Sequence, residues 1–143
     1  MVMQVEIMNK LEIQAKVENL EKVLFFLDTE LESRQVSNKT QMQLDLAVEE
    51  LFVNIANYSY PGGEGMAEID VDFDESVGNV KVILIDSGIP YNPLEKPDPD
   101  ITLGAMDREI GGLGIFMVKK NVDDIKYLYS DGKNILTLYK SIS

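Results

Sequence analysis

Hydrophobic residues recur every three or four positions through residues 45–60, DLAVEELFVNIANYSY. This spacing predicts an α-helix with one buried stripe. The stripe consists of Leu44, Val48, Leu51, Ile55 and Tyr58. Glu50, Asn54 and Asn57 repeat the spacing one position earlier, so they are expected to form a polar row along its edge. Polar groups beside a core cost free energy unless they have a bonding partner. A phosphate-bound metal and an activated hydroxyl would provide partners for all three side chains.

The other segments alternate between strand and helix patterns. Alternating apolar and polar residues predict strands at residues 8–17, 67–73, 80–85, 124–129 and 134–139. Helical spacing predicts a helix over residues 18–34 and a short helix after residue 114, and Ser37 or Asn38 is expected to cap the central helix. The order of elements predicts an α+β fold. We expect a single domain over residues 1–143, a two-layer α/β sandwich whose mixed, mostly antiparallel sheet carries helices on one face.

Residues 89–110 contain four prolines and show no clear period. A segment of this length without structure of its own is usually a lid or a binding loop. We therefore expect this segment to lie beside a ligand site.

The composition narrows the possible functions. The 143 residues carry a formal net charge of −12, which disfavours direct binding to nucleic acid or anionic lipid and favours basic partners or metal-bound ligands. The sequence has no Cys and no His, which excludes disulfides, a Ser-His-Asp triad and a His-ligated zinc site. No apolar run approaches the roughly 20 residues of a membrane span, and the N-terminus has no apolar signal-peptide core. We expect a cytoplasmic protein.

The first motif with chemical potential is Glu50 and Asn54, with Asn57 behind them. An Asn oxygen is a hard ligand suited to Mg²⁺, which usually bridges nucleotide phosphates. A Glu one turn away could accept a proton from an attacking hydroxyl or water. The alternative interpretation is a solvated helix face.

The second motif, Asp86-Ser87-Gly88, directly follows a hydrophobic strand. A carboxylate at a strand end can accept a hydrogen bond from an exocyclic amine such as that of adenine, and the glycine would let the backbone approach a planar ring. The alternative is an ordinary turn.

The third motif is a glycine-rich sequence, residues 111–115, that opens a helix. Glycines there expose backbone N–H groups, and the helix N-terminus adds positive potential, so an anion could bind. The alternative is a flexible hinge.

Taken together and in this order, the motifs resemble the N, G1 and G2 boxes of the GHKL (Bergerat-fold) ATPase superfamily. The short length and the form EExxxNIxNYxYP…DSGIPYNPL…REIGGLGIFMVKKNVDDIKY are similar to its anti-sigma factor kinase branch, the RsbW and SpoIIAB type. The resemblance extends over residues 11–138. It implies a Bergerat ATP-binding fold that uses ATP and Mg²⁺.

The resemblance also implies a role for each matching residue. Asn54 would ligate Mg²⁺, Glu50 would be the general base and Asn57 would lie near the phosphates. Asp86 would read adenine, and Gly88 would be the first glycine of the G1 box. The remaining nucleotide-binding positions would be Arg108, Gly111, Gly112, Leu113, Gly114 and Ile115.

Three positions depart from the superfamily pattern. Pro90 stands where the second G1 glycine is expected, and Tyr58 stands where the N box commonly carries His. A Thr that often supports the adenine site is replaced by Asn134 or Ile135, depending on the alignment.

The implied reaction is transfer of the γ-phosphoryl group of ATP to a Ser or Thr of a STAS-type anti-anti-sigma factor. The same surface region would sequester a sigma factor, and relatives of this type suggest a homodimer. One competing hypothesis is a regulator that binds ATP without kinase activity. Another is an interaction module that binds no nucleotide.

Overall fold

The computed structural model of this protein describes residues 5–7, 9–95 and 112–142. Its strands are β1 (Val5–Ile7), β2 (Lys10–Gln14), β3 (Met66–Asp74), β4 (Asn79–Asp86), β5 (Asp124–Ser130) and β6 (Lys133–Ser141). Its α-helices are α1 (Leu20–Ser33), α2 (Asn38–Asn54) and α3 (Gly112–Asn121). Short helical turns occupy Val17–Asn19, Ile55–Ser59 and Pro93–Glu95. In the part of the chain that the structure describes, no helix has the length and apolar character needed to cross a membrane.

The strands form one sheet in the order β1-β2-β3-β4-β6-β5. The predicted α+β, two-layer architecture is confirmed. The predicted mixed sheet contained some parallel pairing, whereas every pairing between described strands is antiparallel. The reason is topological. Strands β4 and β5 are connected through α3 and run parallel to each other. Strand β6 lies between them in the sheet, so β4 and β5 do not pair.

The core lies between one face of the sheet and the helices. On this face of the sheet, inward-facing residues of neighbouring strands lie directly opposite one another, as in the row Leu11, Ile69, Leu84 and Leu136. These side chains and the stripe of α2 formed by Leu44, Val48 and Leu51 are almost fully buried. Each fully buried Leu or Ile contributes roughly 1.5–3 kcal/mol relative to an exposed one, so this two-layer contact is the main stabilising feature of the fold.

The start of α2 agrees with the prediction. Ser37 is the N-cap, and its side chain accepts a hydrogen bond of 3.2 Å from the backbone N–H of Thr40. This bond satisfies one of the N–H groups that a helix leaves unpaired at its start.

The end of the central helix differs from the prediction. The α-helix ends at Asn54 and continues as a π-helical turn, Ile55–Ser59. Tyr58, predicted on the buried stripe, is 53% exposed, and Ser59 is 5% exposed in its place. A π-helical turn closes over five residues instead of four, so each following side chain is rotated relative to the α-helical pattern. The stripe therefore moves by one position after Ile55.

Candidate functional site

A cleft opens between the C-terminal half of α2 and the edge of the sheet where β4 ends. Its walls are largely apolar and include Leu51, Ile55, Leu84, Pro93 and Leu136. Its polar lining consists of Asn54, Ser59, Asp86, Tyr91, Tyr127 and Asn134. An apolar slot with a few convergent polar groups is the usual form of a small-molecule site.

The cleft encloses about 370 Å³ of space, including its open mouth. Side chains of α2 line one side of this space, and side chains of β4 and β6 line the other. We call this space the slot; its apolar sides suit a flat ring.

Asp86 lies at the floor of this slot because it continues the inward-facing row of β4. Val82, Leu84 and Asp86 alternate along the strand and all three are buried, Asp86 with 5% of its surface exposed. Its Oδ1 atom accepts hydrogen bonds of 2.9 Å from the backbone N–H of Gly88 and from Nδ2 of Asn134. Two donors thus pair with this buried carboxyl group, as a buried polar group requires.

The sequence analysis left open whether Asn134 or Ile135 stands beside the adenine position. The structure places Asn134 directly opposite Asp86 in the pairing of β4 and β6, with Ile135 turned to the other face. Asn134 was not predicted as a site residue. The signal was present in the sequence, because Asn134 is in phase with the buried Leu136 and Leu138 of the same strand.

Gly88 is required by a close backbone contact. A β-carbon at this position would overlap the backbone carbonyl of Ser59, to which the N–H of Ile89 donates a hydrogen bond of 2.9 Å. The predicted approach of Gly88 to a planar ring stays a prediction, since the approach that the structure shows is to Ser59. The glycine therefore joins the end of β4 to the end of the central helix.

Tyr60 supports the same junction. Its hydroxyl donates to the carbonyl of Met66 and accepts from the N–H of Ser87, at 2.6 Å and 2.8 Å. Burial raises the pKa of the Tyr60 hydroxyl, and the nearby Asp86 carboxylate raises it further, against the lowering effect of the Ser87 hydrogen bond. The hydroxyl therefore stays protonated and available as both donor and acceptor at neutral pH.

The first and third motifs meet where α2 contacts α3. A β-carbon on Gly114 would overlap the Glu50 side chain at Oε1 and Cδ. Because α3 begins at Gly112, the Glu50 carboxylate lies against the first turn of this helix. The positive end of a helix stabilises a negative charge at that place.

The other predicted site residues have mixed positions. Asn54 lines the cleft with Asp86, whereas Asn57 is exposed and is not among the described residues that line it, since it lies in the π-helical turn. Ile115 is buried in the core, so only its backbone is available to a ligand. Gly112 and Leu113 form the start of α3. Arg108 and Gly111 lie outside the described residues.

The residues around Asn54 fit a Mg²⁺ ion of the kind held mainly by a nucleotide. In residues 9–95 and 114–142 no three acidic, His or Cys side chains are grouped in a way that could enclose a metal ion. Mg²⁺ commonly keeps several waters and takes only one or two protein ligands beside substrate phosphates. The oxygen of Asn54, with Glu50 one helical turn away, matches that donor set.

Comparisons with known proteins identify similar kinases. The serine-protein kinase RsbW of Listeria monocytogenes serovar 1/2a is 27% identical over 97 residues, which are 65% of this chain and 61% of that protein. The serine/threonine-protein kinase BtrW of Bordetella bronchiseptica is 26% identical over 102 residues, 71% of each chain. The chain thus matches about three fifths of the length of the first relative.

Two solved structures share the fold at low identity. The RsbU and RsbW domains of Rv1364c from Mycobacterium tuberculosis match 93% of this chain and 32% of theirs, with a TM-score of 0.63 and 16% identity. The histidine kinase domain of the blue-light activated histidine kinase EL346 from Erythrobacter litoralis matches 88% of this chain and 60% of its own, with a TM-score of 0.57 and 14% identity.

A family model confirms the resemblance of the three motifs. The model of the histidine kinase-like ATPase domain matches residues 13–140, which include α2, the end of β4 and α3. The chain belongs to the histidine kinase-like ATPase domain family, the GHKL fold, and is similar to its anti-sigma kinase members.

Proposed function

We propose that this protein binds ATP in the cleft and transfers the γ-phosphoryl group to a Ser or Thr hydroxyl of a partner protein. The observation that carries the proposal is the shared cleft of Asn54 and Asp86, with Glu50 one turn before Asn54 and in contact with the start of α3. These groups come from distant parts of the chain. Their convergence favours a nucleotide site over three unrelated surface features.

Each of these groups has a distinct part in the proposed reaction. Asp86 accepts a hydrogen bond from the exocyclic amine of adenine at the floor of the slot. Asn54 supplies an oxygen ligand for Mg²⁺, which when bound neutralises charge on the phosphates. Glu50 takes the proton of the attacking hydroxyl, a contribution of typically about 10²–10⁴-fold in rate. The backbone N–H groups at the start of α3 face the phosphates.

The proposed partners follow from the kinases that this chain resembles. The phosphate acceptor is a STAS-domain anti-anti-sigma factor, and the protein sequesters a sigma factor when that acceptor is phosphorylated. The net charge of −12 favours a partner with a basic surface and opposes direct contact with nucleic acid. We further propose that the protein acts in the cytoplasm as a homodimer.

Label transfer tests the proposal. The purified protein is incubated with Mg²⁺, γ-labelled ATP and STAS-domain proteins from the same genome. We expect label on a Ser or Thr of one of them. Glu50→Gln should reduce the transfer rate about 100-fold or more, because the base is lost. Glu49→Gln, the exposed neighbour on the same helix, is the matched control and should transfer normally.

A thermal shift separates the competing functions. Mg-ATP should raise the melting temperature of wild type and of Glu50→Gln, because a ligand that binds only the folded state stabilises it. If Mg-ATP raises the melting temperature but neither wild type nor Glu50→Gln transfers label, the protein is instead a regulator that binds ATP without kinase activity. No shift at all would reject nucleotide binding and favour an interaction module.

A further inference from the structure

The hydroxyl of Ser59 is buried in the slot without a hydrogen-bond partner. The side chain is 5% exposed and lines the slot. Its hydroxyl forms no hydrogen bond with any residue that the structure describes, although the backbone carbonyl of Ser59 accepts from the N–H of Ile89. A buried polar group without a partner costs free energy, and such groups are few in native proteins.

Two exposed hydroxyl side chains of α1 show what Ser59 lacks. Thr29 donates to the carbonyl of Phe25 at 2.7 Å, and Ser33 donates to the carbonyl of Glu30 at 2.6 Å. Such a bond to the preceding turn is a common partner for a Ser or Thr in a helix. Ser59 lies in the π-helical turn and has no such bond, so its hydroxyl keeps its donor and acceptor positions for a ligand.

Gly88 brings this hydroxyl close to Asp86. A β-carbon on Gly88 would lie 2.6 Å from the Cβ of Ser59, and the N–H of Gly88 donates to Oδ1 of Asp86 at 2.9 Å. Ser59 and Asp86 both line the slot. The slot therefore presents a hydroxyl with a free proton on one side of Gly88 and a carboxyl group on the other.

Packing alone does not account for a Ser at this position. An Ala would fill the same wall of the slot without burying an unpaired hydroxyl, and it favours a helix more than Ser does. The hydroxyl therefore needs a partner that enters the slot from outside the chain.

We propose that Ser59 is a ligand-binding residue that donates a hydrogen bond to a ring nitrogen of the bound base. In adenine, the ring nitrogens N1 and N7 lie on either side of the exocyclic amine, and both are acceptors. A donor beside the carboxyl group that takes the amine meets one of them. The inference rests on the proposed nucleotide site, but it assigns a residue that none of the three sequence motifs includes.

Ser59→Ala separates a ligand contact from a structural role. Because the hydroxyl has no partner in the described chain, its removal should leave the free energy of unfolding of the nucleotide-free protein unchanged or raise it. Urea denaturation measures this quantity. A lower free energy of unfolding, or a variant that does not fold, would show that the hydroxyl stabilises the fold and would overturn the inference.

Calorimetric titrations measure the contact itself. The ligands are Mg-ATP and its 1-deaza and 7-deaza analogues, in which C–H replaces N1 or N7. Mg-ATP should bind Ser59→Ala about fivefold more weakly than wild type, the effect of one neutral hydrogen bond. Ser33→Ala is the matched control, because it removes an exposed hydroxyl that bonds only its own helix, and it should bind all three nucleotides as wild type does.

The analogues identify the acceptor atom. In wild type, one of them should bind about fivefold more weakly than ATP, because it lacks the acceptor for Ser59. In Ser59→Ala, ATP and that same analogue should bind almost equally, since neither can form the bond. The analogue for which the difference disappears shows whether N1 or N7 is the acceptor.

Other outcomes would overturn the inference in distinguishable ways. If Ser59→Ala weakens ATP and both analogues by the same factor, the hydroxyl contacts another part of the nucleotide, and the contact with the base is rejected. If the variant binds all three as wild type does, Ser59 has no part in binding. If wild type binds no ATP, the proposed function fails together with the inference. A protein that binds ATP without phosphoryl transfer gives the same affinities, so these titrations do not depend on kinase activity.

Discussion

The Glu50 carboxylate lies in the space that a β-carbon on Gly114 would occupy. This contact joins the C-terminal half of α2 to the first turn of α3 and holds the proposed base at the start of that helix. The position of Glu50 therefore depends on a residue more than sixty positions away that has no side chain.

Gly114→Ala should displace Glu50 and slow phosphoryl transfer. The added methyl overlaps the end of a flexible side chain, so the fold should persist. Ala also favours the helical conformation over Gly by up to about 1 kcal/mol, which offsets part of any decrease in the free energy of unfolding. We expect transfer to fall at least tenfold while Mg-ATP still raises the melting temperature.

Gly63→Ala is the control for that variant, because a β-carbon at Gly63 meets nothing within 4 Å. Its transfer rate should equal that of wild type. Full transfer activity in Gly114→Ala would show that the location of Glu50 beside α3 does not matter for the reaction.

Gly88→Ala should lower the free energy of unfolding. The new β-carbon would overlap the carbonyl of Ser59, and backbone on both sides must move to relieve it. Overpacking of this kind costs about 1–3 kcal/mol, which urea denaturation measures against the Gly63→Ala control. Unchanged stability would mean that the junction between β4 and the π-helical turn is looser than its contacts indicate.

Asp86→Asn should weaken ATP binding and change the preferred base. An Asn oxygen can still accept from Gly88 and Asn134, but its amide group would then face the exocyclic amine of adenine, donor against donor. An unpaired buried polar group costs about 1–3 kcal/mol, roughly 5–150-fold in Kd, and the same amide should favour ITP. The exposed variant Asp72→Asn serves as control in the same calorimetric titrations; equal ATP affinity in both variants would contradict the role of Asp86.

Asp45 should make stability depend on pH. It lies among carboxylates. Burial, a hydrogen bond that its protonated carboxyl group donates to Asp28, and the charges of Asp28, Glu32 and Glu49 raise its pKa from 3.8 to about 8. The folded protein therefore binds more protons than the unfolded chain between these values. The stabilisation that protonated Asp45 gives the folded state is complete below pH 3.8 and is lost as the pH rises through about 8.

Asp45→Asn should consequently stabilise the protein at alkaline pH. Because the site is partly solvated, solvent screening reduces the effect to about 1–2 kcal/mol at pH 8, with little difference near pH 4. Thermal unfolding across this pH range checks it, with the exposed Asp72→Asn as control. A difference between wild type and variant that grows toward low pH would contradict the assignment.

Much of the local structure could be predicted from residue spacing. The three- and four-residue period predicted α2, and alternation predicted β3 and β4 within a residue or two. The same alternation placed Asp86 at the end of β4. These features depend on interactions between neighbours in the chain, which spacing reports directly.

The structure first differs from the prediction where the regular α-helical spacing ends. In the π-helical turn after Asn54, Ser59 is buried instead of Tyr58, and Asn57 is exposed. No periodic pattern predicts a π-helical turn, because its extra residue interrupts the three- and four-residue spacing on which the prediction of a helix depends.

The sequence by itself determined the three helices, the strands β2 to β6 and the types of side chain available to a nucleotide. It did not predict β1, and it left the cap of α2 open between Ser37 and Asn38. Only the tertiary structure decided that Asn134 holds Asp86 and that Glu50 lies against Gly114. The physical reason is that such pairs depend on strand register and helix packing, which the whole core sets together. Spacing along the chain carries information about neighbours, whereas the site is made by residues that the core brings together from far apart.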